Sequence, residues 1–136
     1  MRPLIFILAL SIFSINSMGQ SSEEIVQKQL DFYNNRNIEG FMSLFANDAI
    51  LVNQTDGKVL AEGKEAVREI YTNLFEKSPN LKSVLKNRMV LGNTVIDHEN
   101  ITGRMGNSEA IELIVIYEIK AEKIFRCTVI RGNSDQ

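Results

Sequence analysis

Three features of the sequence predict an α+β domain. Apolar residues recur at helical spacing through the first half of the chain and switch to simple alternation near Leu81. Turn-forming pairs at Gly92-Asn93 and Gly106-Asn107, with the polar run Lys120 to Glu122, then separate long alternating stretches. Helices gathered ahead of a meander of antiparallel strands give α+β rather than an alternating α/β arrangement.

The elements follow in order. Ser21 to Arg36 reads as the first helix, opened by a Ser21/Glu24 capping box, with Ile25, Val26, Leu30 and Tyr33 as its apolar stripe. Gln29 sits inside that stripe, where an unpaired buried amide costs about 1–3 kcal/mol, so it is expected to meet a polar partner or a wet pocket. Asn37 caps a second, short helix whose apolar face is Ile38, Phe41, Met42 and Phe45. Asn47 and Asp48 end it, and Ala49 to Asn53 is the first strand. Gln54 to Gly57 is a turn, and Lys58 to Ala61 returns as a short strand. The third helix runs from Lys64 to Lys77, with Ala66, Val67, Ile70, Tyr71, Leu74 and Phe75 as its apolar face, and stops before Pro79. Strands are expected over Leu81 to Leu91, Thr94 to Thr102, Glu109 to Ile119 and Lys123 to Arg131.

The 136 residues suit one domain, placed over residues 20–136. Charged residues make up 24% and hydrophobic ones 44%, a globular balance. The net charge of −2, without a basic run, argues against a nucleic-acid partner. Residues 1–19 read as a signal peptide. Arg2 supplies the positive end, Leu4 to Ile15 is an apolar run too short to span a bilayer, and Ser17 and Gly19 are small residues at a cleavage spacing. Export to the periplasm or the exterior is therefore expected, with no membrane contact once the leader is removed. Cys127 is the single cysteine and alternates with Phe125 and Val129, the pattern of a small buried hydrophobe.

The order helix, short helix, strand, together with the stretch NIEGFMSLFANDAILV (Asn37 to Val52), resembles the nuclear transport factor 2-like superfamily. That group includes SnoaL-like polyketide cyclases and ketosteroid isomerases. The stretch VLGNTVIDHE (Val90 to Glu99) is similar to one common in SnoaL-like proteins. The resemblance covers about residues 22–131 and implies a cystatin-like roll: a curved antiparallel sheet forming a cone closed by three N-terminal helices, with a pocket inside. Laid on this chain, the isomerase pattern puts the general-base aspartate at Asn53 and the oxyanion-hole tyrosine at Gln29. It puts a pocket tyrosine at Tyr71 and the late-strand acid at or next to Val115. An amide accepts no proton at neutral pH, so Asn53 is not a general base. Gln29, Tyr33, Leu51, Asn53 and Tyr71 are instead expected to line one wall of a ligand pocket.

His98 is the only histidine, the residue type whose unperturbed pKa lies near neutrality; it is either a strand residue on the rim or at a subunit contact or, with Asp97, the candidate base. Strand alternation puts Asp97 on the face of Val95 and Glu99, opposite His98, so the two form no relay. Arg88, on the neighbouring strand, either pairs with Asp97 or Glu99 or anchors an anionic ligand group. No metal site is expected, because one His without a facing His or Cys makes a poor one. No cofactor is expected either. These residues suggest an exported protein that binds a small lipophilic or carbonyl-bearing molecule. The alternatives are a SnoaL-like isomerase, cyclase or hydratase using His98 or Asp97, and a structural module with a filled pocket. The half-apolar outer face of the sheet suggests a homodimer.

Overall fold

Ser21 opens the first helix by accepting a hydrogen bond from Glu24 N–H, and Asn37 opens the second by accepting one from Gly40 N–H. The computed structural model describes residues 19–132, so the expected leader, Gly19 apart, lies outside the described residues. The elements are α1 (Ser22–Asn34), α2 (Ile38–Ser43), β1 (Phe45–Asn53), β2 (Val59–Glu62), α3 (Lys64–Glu76), β3 (Lys82–Leu91) and β4 (Thr94–Thr102). A 3-10 turn (Arg104–Gly106) leads to β5 (Ile111–Lys120) and β6 (Lys123–Arg131). Among the described residues no helix is long and apolar enough to cross a membrane.

Two expectations change. β1 begins at Phe45, not Ala49, because Phe45 pairs with Ile124 of β6 and the irregular stretch to Ile50 is a bulge within the strand. The sheet, in the order β2-β1-β6-β5-β4-β3, is mixed rather than wholly antiparallel: β1 lies parallel to β6. The first and last strands meet only through the fold, and no local pattern encodes their relative direction. Its edges are β2 and β3, so the sheet does not close on itself.

All three helices serve one face of this sheet. α1 packs on β3 and β4, and α3 packs on β1 and β2. Tyr33, Phe41, Phe45, Tyr71 and Phe75 bind the helices to one another and to β1; Tyr33 meets Phe75 edge-on at 5.6 Å and Phe41 lies 4.5 Å from Tyr71. Such pairs are worth about 0.5–1.5 kcal/mol each beyond their buried area. Gly40 lets α2 approach α1, because a Cβ there would stand 2.5 Å from the Phe32 ring. With α1 and α3 astride its two sides, the sheet's central strands β5 and β6 face a space between the helices.

Candidate functional site

That space is a cavity of about 320 Å³. It lies at the small end of the roughly 300–1,000 Å³ that holds small molecules. The strand register builds its floor in rows. Glu99, Leu113 and Arg131 are aligned across β4, β5 and β6, and all three line the cavity. Val115 and Val129 form the next row with Asn53 of β1. Tyr117, Cys127 and Leu51 form the third. The helices add Gln29, Leu30 and Tyr33 from α1 and Ile70, Tyr71 and Leu74 from α3.

Five residues expected in the pocket line it: Gln29, Tyr33, Leu51, Asn53 and Tyr71. Gln29 is 5% exposed and has the partner its position demanded, since its Oε1 accepts from the Tyr117 hydroxyl at 3.3 Å. Asn53 spends its side-chain oxygen on Thr55 N–H at 3.1 Å, which fixes the turn after β1. Burial pushes the Tyr33, Tyr71 and Tyr117 phenols well above their usual pKa, so they are neutral donors throughout the physiological range. Cys127 is 3% exposed, and burial raises its thiol far above the reactive range.

Three expected site residues lie elsewhere. His98 points away from the cavity. Its Nε2 stands 2.5 Å from Glu112 Oε1 on the outer face of the sheet, where Lys86 Nζ joins the same oxygen at 3.4 Å. The reason is the alternation of β4: Val95, Asp97, Glu99 and Ile101 take the inner, buried face and leave His98 outside. Asp97 is fully buried but occupied. Arg88 Nε and Nη2 donate to its two oxygens at 2.7 and 2.8 Å, and Arg88 Nη1 donates to Gln27 of α1 at 2.9 Å. Neither Arg88 nor Asp97 lines the cavity. Their fork-to-fork pair ties β3, β4 and α1 together, so Arg88 serves the fold rather than a ligand.

The group that reaches the cavity is Glu99, which the sequence offered only as a possible partner of Arg88. It is 4% exposed. Its Oε2 accepts from the Ser83 hydroxyl at 3.1 Å, and Ser83 is held in turn by Asn34, whose side-chain amide bonds both its N–H and its C=O. Its Oε1 is buried with no hydrogen-bond partner among the described residues. Burial, and then the nearby Asp97 charge, push the Glu99 carboxyl up to about 7, against the weaker pull of the Ser83 hydroxyl, Arg88 and Tyr117. A carboxyl with one free oxygen and a pKa near neutrality accepts and returns protons at physiological pH. Two arginines complete the lining. Arg104 sits in the turn after β4 and Arg131 at the end of β6, and neither forms an ion pair among the described residues. No three His, Cys, Asp or Glu side chains among the described residues are grouped to hold a metal ion.

In the unfolded chain a glutamate releases its proton near 4.5; in the fold Glu99 keeps it to about 7. Between these values the native state binds more protons than the unfolded state, so stability falls as pH rises. The stabilisation is present below pH 4.5 and lost through pH 7; its full size is roughly 3 kcal/mol. Glu99→Gln, which has nothing to ionise, is expected to lack this slope. Urea denaturation of both proteins at pH 5 and pH 8 measures it, and equal slopes would count against a shifted Glu99.

The model of the SnoaL-like domain matches residues 26–127. Among solved structures, an uncharacterised cystatin-fold protein from Novosphingobium aromaticivorans superposes with a TM-score of 0.76 at 25% identity, over 83% of this chain and all of the other. A provisionally assigned ketosteroid isomerase from Kribbella flavida does so at 0.73 and 16%, over 85% of this chain and 80% of that one. A provisionally assigned SnoaL-like polyketide cyclase from a Jannaschia species gives 0.70 and 15%, over 82% and 85%. No curated protein matches the chain. The two lower identities carry the fold alone, while the domain match covers both the helices and the cavity-lining strands: the chain belongs to the SnoaL-like domain family.

Proposed function

We propose that the protein is a cofactor-independent acid–base enzyme that shifts a proton on a small, lipophilic carbonyl compound, with Glu99 as the proton carrier. The observation that supports this reading is the free, buried Oε1 of Glu99 in the cavity wall. An ionised Glu99 takes a proton from the carbon next to the carbonyl: the C–H bond breaks, an O–H bond forms on Oε1, and the electron pair moves to the carbonyl oxygen. The neutral phenols of Tyr33 and Tyr71 and the Gln29 amide are the donors that meet that oxygen. Protonated Glu99 then returns the proton to the same carbon or to a conjugated one, and the second case is an isomerisation. Leu51, Leu74, Ile101 and Val115 exclude water from the exchange.

The test is proton exchange at carbon. Octanones and cyclohexenones incubated with the protein in D2O are expected to lose α-proton signal faster than in buffer. Binding of these ketones without any exchange would instead favour a small-molecule-binding protein. That second reading draws on Asn53, an amide engaged with its own turn where the resembling isomerases carry their base.

We also infer a two-fold dimer through the outer sheet face. Met89 is 58% exposed and Ile114 37%, and both share that face with Ile96, Ile116 and Ile130. Light scattering at micromolar concentration is expected to give twice the chain mass, and Ile114→Lys is expected to return the monomer; a wild-type protein of monomer mass would contradict the inference.

A further inference from the structure

The row Glu99–Leu113–Arg131 spans two inter-strand steps, so the two charged residues stand roughly 10 Å apart at the backbone, on one face of one sheet. Leu113, between them, is buried and apolar. Arg104 joins Arg131 from the turn after β4. That turn is held firmly: Met105 N–H donates to the buried Ser78 hydroxyl at 2.8 Å, and Gly103, at φ +69°, passes so close to Asn80 that a Cβ would meet its carbonyl oxygen at 2.2 Å. The two guanidinium groups therefore share the cavity lining while neither has a carboxylate partner among the described residues. Their proximity is unfavourable on its own. Partial burial and then the Arg104 charge pull the Arg131 pKa down against a weaker opposite pull from Tyr33, although the Arg131 residue as a whole stays exposed.

The cavity thus has a carboxyl at one end of the row, an apolar middle and two cations at the other end. We propose that its ligand is an amphipathic oxo acid, bound with its carboxylate between Arg104 and Arg131 and its apolar chain over Leu113, so that its carbonyl end reaches Glu99. The carbonyl part of this assignment rests on Glu99 as the proton carrier; the carboxylate part stands on the arginines. A planar guanidinium holds a carboxylate through two parallel hydrogen bonds, and two of them fix its position and orientation. The carboxylate would also be kept away from Glu99, because an ionised Glu99 repels it.

Octanoate and 1-octanol separate these parts, having the same chain and differing in the anionic group. At pH 8 in low salt, calorimetry on the wild-type protein is expected to show octanoate bound tighter by roughly tenfold or more, the usual worth of hydrogen bonds to a charged group. The doubly substituted Arg104→Gln, Arg131→Gln protein is expected to lose that preference and keep its affinity for 1-octanol, which also reports that it is folded. Glu99→Gln is expected to bind octanoate at least as well as the wild type. Equal affinity of the wild type for the two probes would overturn the proposal without needing any variant. So would a preference that survives removal of both arginines. Exchange of the α-protons of 5-oxooctanoate is read alongside. Octanoate preference without exchange leaves the carboxylate site standing and removes Glu99 as the carrier. Exchange on neutral octanones without octanoate preference does the reverse.

Discussion

Glu99→Gln is expected to lower the rate of carbonyl α-proton exchange by about 10²–10⁴, the usual contribution of a positioned general base. Glutamine keeps the size of the side chain and can still meet Ser83, so the cavity and the Asn34–Ser83 support behind it persist. What disappears is the oxygen able to hold a proton. The variant should bind ketones about as well as the wild type, which makes the loss one of rate and not of affinity. His98→Ala is the internal comparison. His98 stands on the outer face with Glu112 and Lys86, so its removal should leave the exchange rate unchanged. Rate measurements on the two variants with one ketone decide the matter, and a wild-type rate in Glu99→Gln would end the case for Glu99.

Asp97→Ala is expected to cost about 3–5 kcal/mol of stability, the usual effect of removing one partner from a buried ion pair. Asp97 is fully buried, and the Arg88 side chain it binds is only 9% exposed. Removing the carboxylate strands a guanidinium between β3, β4 and α1 with Gln27 as its remaining partner. A domain of this size is stable by only about 5–15 kcal/mol, so the loss is a large fraction of the whole. Replacing both partners, as Arg88→Met with Asp97→Leu, should recover much of it, because no charge is then left unpaired. Chemical denaturation of the single and double variants measures both effects. A single variant as stable as the wild type would show that the pair does not hold α1 to the sheet. The pair also touches the site: Asp97 is one of the charges that raises Glu99, so fold and chemistry share this corner of β4.

Much of this was legible in the sequence because it is local. Helical spacing and caps placed α1 and α3 to within a few residues, and alternation gave β4 and β6 with their final bounds. Gln29 announced itself as a polar break in an apolar stripe, and the structure gives it both the partner and the cavity that its position required. The rest depended on pairing between distant strands. Period-two alternation correctly set Asp97 and Glu99 opposite His98, but alternation does not say which face is inside. The signal was present in Val95 and Ile101, two apolar residues that bracket Asp97 and Glu99 on one face, while the sole histidine kept the other face open as a candidate. Arg88 was recognisable as a partner for Asp97, yet nothing local showed that Asp97 would be used up by it. Arg104 and Arg131 end their segments and look like ordinary rim charges. Only the register, which sets Arg131 beside Leu113 and Leu113 beside Glu99, brings them to the same cavity.

Glu99 can carry a proton as proposed only if its buried carboxyl titrates near neutrality. A carbon-13 NMR titration of the Glu99 side-chain carboxyl, assigned by comparison with Glu99→Gln, reads that ionisation without any knowledge of the substrate. A single transition near pH 7 is expected, where burial beside Asp97 sets it; a Glu99 carboxyl that titrates at the ordinary 4.5 of an exposed glutamate would contradict its role as the proton carrier.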